Sequence, residues 1–192
     1  MHGQMGIVDP YTLPPDLPVP EDDGRADHLT GLAMPALVLQ SSRGPVNLAE
    51  LGADRGVLYI YPRSGKPGVP LLEGWDEFPG ARGCTPHSCG FRDHAAELGA
   101  FDAKLAGLSS QPLEDQIEFA ERNHMPFPVI SDPDRELANA LDLPTFEIAG
   151  YTLYARMALV IEQGVIVKVF YPVFPPDRNA ADVLAWLREN RS

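Results

Sequence analysis

The segment MALVIEQGVIVKVFYPV, Met157 to Val173, decides between the folds open to this chain. It holds two apolar, β-branched runs joined at Gln163-Gly164, the pattern of an antiparallel hairpin. A terminal amphipathic helix follows from Asp177 to Glu189, carrying Ala181, Val183, Leu184, Trp186 and Leu187. Upstream, GVLYIYP (Gly56 to Pro62) is a continuous apolar run with a proline stop, as expected of a central strand buried on both faces. MPALVLQSS is an earlier short strand ended at the turn Arg43-Gly44, and VNLAELG continues as a strand edge or helical turn. The spacing of Phe91, Ala95, Leu98, Phe101 and Leu105 predicts a helix over Cys89 to Leu105, followed by a strand from Ala106 to Ser109. A helix from about Leu113 to Asn123 comes next, with Glu114 and Asp115 in its first turn. Phe127 to Ile130 is a brief strand, and Ser131 is expected to cap a helix ending near Leu141. The alternation implies an α/β sandwich with a mixed sheet. A thioredoxin-like layout fits this order, and the terminal hairpin followed by one helix favours it over a flavodoxin-like sheet.

The 192 residues suit one domain with an added arm, and 44% hydrophobic with 22% charged residues predicts a packed core. Residues 1–28 contain Pro10, Pro14, Pro15, Pro18 and Pro20 and the run Glu21, Asp22, Asp23, so they read as an extended arm before a domain over 29–192. That arm is either a disordered leader or a segment packing through Ile7, Val8, Tyr11 and Leu13 on its own domain or a neighbour. Fifteen Lys plus Arg against 27 Asp plus Glu give a net charge of 15 − 27 = −12, which argues against nucleic acid as a partner. No window has the roughly 18 consecutive apolar residues of a membrane span, and Met1 to Leu13 lacks the order of a secretory signal. The expectation is a cytoplasmic protein without a membrane partner.

Both cysteines lie in RGCTPHSCGFRD, Arg82 to Asp93. Cys84 follows a buried strand and the Gly- and Pro-rich loop Arg63 to Phe78, and it precedes an amphipathic pattern. It therefore falls in a helix's first turn, where unpaired N–H groups and the helix dipole stabilise a thiolate. Cys89 is five residues on, which in an ideal helix separates the Cα atoms by roughly 8 to 9 Å, beyond the ~7 Å reach of a disulfide. The pair thus reads as redox-active with an unwinding step, eased by Gly83 and Gly90. Two other readings stand beside it: buried small hydrophobes, or a zinc site from Cys84, His87, Cys89 and His94. His87 reads as a polar residue on an exposed turn, or as a charge neighbour of the thiolate, and His94 as a surface residue.

The same segment resembles the active-site segment of peroxiredoxins (AhpC/TSA-like) of the bacterioferritin comigratory protein, or PrxQ, type. The resemblance extends through VLYIYP, SDPDRELANALDLP and YARMALVIEQGVIVKVFY. It implies a thioredoxin-like fold and a thiol peroxidase that reduces hydrogen peroxide and organic hydroperoxides without metal or organic cofactor. Cys84 would be the peroxidatic cysteine, Cys89 the resolving cysteine, and Arg156 the guanidinium stabilising thiolate and peroxide. Arg82, Gly83 and Thr85 would contact the substrate, and a thioredoxin-like protein would be the reductant. The chain departs from the family pattern at Ala81, where a threonine is expected, and at Glu77, where a proline is. Either Pro62 takes the proline's place ahead of an insertion over Ser64 to Phe78, or Pro79 does in a shortened loop. Thr85 or Arg82 would supply the missing hydrogen bond. Two alternatives remain at this level: a thiol-disulfide exchange protein without peroxide specificity, and a zinc-binding or structural module using the Cys/His cluster.

Overall fold

The computed structural model of the chain describes residues 9–190. Its centre is β3 (Arg55–Ile60), in which Val57, Leu58, Tyr59 and Ile60 are all fully buried. This is the GVLYIYP run, and its burial follows from having a helical layer on each face. β3 pairs in parallel with β4 (Lys104–Ser109), which pairs in parallel with β5 (Val129–Ser131). On its other side β3 pairs antiparallel with β8 (Met157–Glu162), and β8 with β9 (Val165–Phe170). The β8–β9 turn is Gln163-Gly164, both at positive φ, as a two-residue hairpin turn with right-handed twist requires. The hairpin β1 (Val38–Ser41) and β2 (Gly44–Asn47) completes a seven-stranded mixed sheet in the order β2-β1-β5-β4-β3-β8-β9.

Alternation along β3 sorts two cores. Val57, Tyr59 and Tyr61 face α2 (Cys84–Asp93), α4 (Leu113–Arg122) and α6 (Asn179–Glu189), through Phe91, Phe119, Val183, Leu184 and Leu187. Leu58 and Ile60 face α1 (Leu48–Leu51) and α5 (Glu136–Leu141), together with Ala26, Leu29 and Met34. Tyr59 fixes α2 on the sheet: its ring stacks on Phe91 at 4.6 Å and 5°. It also lies over Gly107, where an added Cβ would stand 2.5 Å from the ring, so only glycine fits beneath it.

Two expectations are corrected, and one element was not expected. The helix predicted from Cys89 to Leu105 breaks into α2 and α3 (Ala95–Gly99), and Asp102 turns at φ 59°. Leu105 belongs to β4, where its side chain stays in phase with the preceding apolar stripe and mimics helical spacing. Ser131 ends β5 and donates to the Gln111 carbonyl, while Asp132 accepts from the first amides of α5. An unexpected hairpin, β6 (Thr145–Ile148) and β7 (Tyr151–Tyr154), turns at Ala149-Gly150.

The arm packs on its own domain from Asp9 onward; Ile7 and Val8 lie outside the described residues. Arg122 donates to the Tyr11 hydroxyl at 3.0 Å, and Tyr171 donates to Asp23 at 2.9 Å. The loop from Arg63 to Phe78 has turns but no strand, and it is pinned by buried Trp75 and by Phe78 stacked on Phe146 at 4.4 Å. No helix among the described residues is long and apolar enough to cross a membrane.

Candidate active site

The chain leaves the carboxyl edge of β3 at Pro62, the edge at which open α/β sheets place their chemistry. It returns there at Cys84, the first residue of α2. Cys84 is 3% exposed, and its Sγ meets two donors: Arg156 Nη2 at 3.1 Å and the Arg63 amide at 3.4 Å. The helix N-terminus lies beneath the sulfur, and the thiol itself faces the Ala81 carbonyl at 3.7 Å, so Sγ meets two donors and one acceptor. The residue after Pro62 reaches the sulfur, so the Ser64 to Phe78 segment, the candidate insertion, leaves from and returns to one site. Its base is tied by Gln111 Oε1, which accepts from the Ser64 amide at 3.0 Å and from Ser109 Oγ at 3.0 Å.

Arg156 sits in the two-residue junction between β7 and β8, where it is 4% exposed. Leaving the ladder lets its side chain cross to α2. Nη2 donates to Cys84, to the Ala81 carbonyl at 2.9 Å and to the Arg82 carbonyl at 3.3 Å, while Nη1 donates to His87 Nδ1 at 3.0 Å. Because a guanidinium only donates, Nδ1 of His87 is the acceptor and Nε2 carries the proton, given to Asn179 Oδ1 at 2.8 Å.

His87 is therefore not the exposed residue expected from its polar neighbours. It is fully buried, edge-on to Tyr59 at 5.2 Å and Phe91 at 5.5 Å. Burial first, and then the Arg156 guanidinium, holds it well below the usual histidine range, so the imidazole is neutral. The unfolded chain takes up a proton near pH 6.5 that the folded chain refuses, so stability falls as pH drops below that value, by up to about 1.4 kcal/mol per pH unit for this group. Denaturant unfolding over a pH series should give this slope, and the His87→Gln variant should lose it.

The remaining candidate residues divide. Gly83 caps α2 at φ 109°, where a Cβ would lie 2.3 Å from Pro176 Cγ and 3.0 Å from Leu13 Cδ2; it is a point of close approach. Arg82 does not flank the sulfur: its guanidinium binds Asp76 and the carbonyls of Asp9 and Thr12, because the arm and the insertion offer acceptors on that side. Thr85 is buried with its hydroxyl unpartnered among the described residues, so it does not replace the hydroxyl absent at Ala81. The Ala81 carbonyl serves Arg156 instead. Cys89 is a half-buried free thiol, 3.9 Å from Asn123 Oδ1, and burial pushes its thiol up. His94 pairs with Glu97 at 2.8 Å. Cys84, His87, Cys89 and His94 do not converge, and no group of metal-ligating side chains exists among the described residues.

A cavity of ≈ 210 Å³ adjoins Arg156, walled by Phe78, Phe146, Tyr171 and Val173 with Pro20 and Asp23 of the arm. A thiol recessed at a helix N-terminus under a fixed arginine, on a thioredoxin-like sheet, defines a thiol-based oxidoreductase. The chain belongs to the Redoxin family, whose profile matches residues 29–184. Its relatives are peroxiredoxins of the Q and Bcp type. It is 27% identical over 176 residues to "Peroxiredoxin Q, chloroplastic" of Sedum lineare, covering 91% of this chain and 86% of that one. It is 25% identical over 148 residues to "Peroxiredoxin Bcp" of Escherichia coli, covering 76% and 85%. The crystal structure of peroxidoxin BcpB from Mycobacterium tuberculosis superposes with a TM-score of 0.69 at 28% identity, over 85% of this chain and 99% of that one.

Proposed function

We propose that the chain reduces hydroperoxides through a two-cysteine cycle. The Cys84 thiolate attacks the terminal peroxide oxygen, the O–O bond breaks, and water or an alcohol leaves, with Cys84 becoming a sulfenic acid. Cys89 then condenses with it, and a thioredoxin-like dithiol protein reduces the disulfide. The observation that carries this reading is the pair of N–H donors at Sγ, Arg156 Nη2 and the Arg63 amide. Fixed donors beside the reacting sulfur also stabilise the charge that develops on the leaving oxygen. The recess favours peroxidase over general disulfide exchange, since a two-oxygen group enters where a client protein's disulfide does not. The cavity beside Arg156, part aromatic and part lined by Glu21, Asp23 and Arg25, has room for the organic portion of a small hydroperoxide, which supports organic hydroperoxides as well as hydrogen peroxide. Because α2 is continuous through both cysteines, the disulfide requires its first turn to unwind.

The test is mass spectrometry after one equivalent of hydrogen peroxide, quenched at short times. The expected product is a Cys84–Cys89 disulfide, formed far faster than a free thiol in solution is oxidised. Thiols that persist at the free-thiol rate would overturn the peroxidase reading, and a lasting sulfenic or sulfinic acid would remove Cys89 from the cycle.

A further inference from the structure

Arg82 stands where four segments meet. Nη1 holds both oxygens of Asp76 in the insertion, at 2.7 and 3.0 Å. Nη2 donates to the Asp9 and Thr12 carbonyls of the arm, at 3.3 Å each. Its own carbonyl accepts from Arg156, and the next residue is Gly83, the cap of α2. Leu13 and Pro176 close on the Gly83 backbone, which has no side chain to hold them off. The arm is fastened a second time by Arg122, which donates to the Tyr11 hydroxyl and to the Gly65 carbonyl at 3.1 Å.

These contacts bear unequally on the two oxidative steps. Attack on peroxide uses α2 as it stands, because the donors meet Sγ in that state. Condensation needs Cys84 to leave the helix, and the backbone that must swing is Gly83 and its neighbours. We propose that Arg82 is a positioning residue for the condensation step: with Asp76 and the Asp9–Leu13 stretch it clasps the first turn of α2, so that disulfide formation and release of the arm are coupled.

The inference rests on the peroxidase reading. In condensation the Cys89 sulfur attacks the sulfenic sulfur, the S–S bond forms, the S–O bond breaks, and the hydroxide leaves as water with the Cys89 proton. A second peroxide competes for the same sulfenic acid, transfers one oxygen to give sulfinic acid, and departs as water or alcohol. The clasp lengthens the life of the sulfenic acid in the helix and so feeds the competing step. By reciprocity, the disulfide form holds the arm more weakly than the dithiol form.

The test uses full-length Arg82→Ala, Asp76→Ala and Arg82→Lys variants. Rapid mixing with peroxide, followed by the fluorescence of Trp75 and Trp186 and by quenched mass spectrometry, separates attack from condensation. In the two alanine variants condensation should speed up relative to attack by about fivefold or more, the lower end of ordinary coupling between sites, and the sulfinic fraction on Cys84 should fall. Arg82→Lys, which keeps the ion pair but loses the planar fork, should be intermediate. Condensation that is unchanged or slower in both alanine variants overturns the proposal. If those variants do not fold, hydrogen exchange of the unaltered protein decides. Arm amides of residues 9–20 should exchange faster in the disulfide form, and equal protection in the two forms overturns the clasp. Forming that disulfide with diamide keeps this comparison independent of whether Cys84 reacts with peroxide.

Discussion

Replacing Arg156 by lysine should lower kcat/KM for hydrogen peroxide by roughly 10²- to 10³-fold, the range found when one preorganised donor is removed from a charge-stabilising site. The charge is kept, so simple electrostatics would forecast a mild effect. The structure forecasts a severe one because the guanidinium divides its work: Nη2 serves the sulfur and two carbonyls, and Nη1 serves His87. An ammonium is a single point on a flexible stem and cannot span these acceptors. It would also face His87 Nδ1 with its geometry lost. Peroxide consumption coupled to a dithiol reductant measures the effect, and a lysine variant within a few-fold of wild type would reduce Arg156 to a source of charge.

Asp132→Ala should destabilise the fold by about 3–4 kcal/mol, equivalent to roughly 10 °C in melting temperature for a chain of this size. Asp132 is fully buried and accepts from the Glu136 amide at 2.8 Å, the Leu137 amide at 3.0 Å and the Tyr154 hydroxyl at 2.7 Å. Alanine would strand all three donors away from water, each costing about 1–3 kcal/mol with incomplete additivity. Asp132→Asn, which keeps one acceptor oxygen, should lose about half as much. Tyr154 stands two residues before Arg156, so activity of the folded Asp132→Ala protein should fall as well. Thermal and denaturant unfolding give the first quantity, and activity well below the melting point gives the second.

What could be read from residues alone was whatever repeats. The β3 run and the β8–β9 hairpin announce themselves by unbroken apolar, β-branched composition and a Gln-Gly turn. The helix carried too far, to Leu105, shows the limit: a strand residue in phase with a helical stripe looks like one more turn. The β6–β7 hairpin is short and half polar, and its only sign was Ala149-Gly150 between TFEI and YTLY. At the candidate site, the place of Cys84 in a first helical turn was legible from the pattern that follows it, and Arg156 was singled out only by the resemblance. His87 and Arg82 were misread because their partners are remote. Asn179 lies 92 residues from His87, and Asp9 lies 73 from Arg82. Nothing local separates an imidazole aimed at solvent from one sealed between Tyr59 and an arginine.

Ala81 carries a consequence for how such chains diverge. Its methyl is buried and does nothing for Arg156; its carbonyl does. A function carried by the main chain is transmitted whatever letter stands at the position, and it is lost only when the loop moves. Position 81 can therefore change only among side chains small enough for its buried place, yet any of them leaves that carbonyl in position, and the guanidinium that depends on it is placed by geometry that no comparison of side chains records.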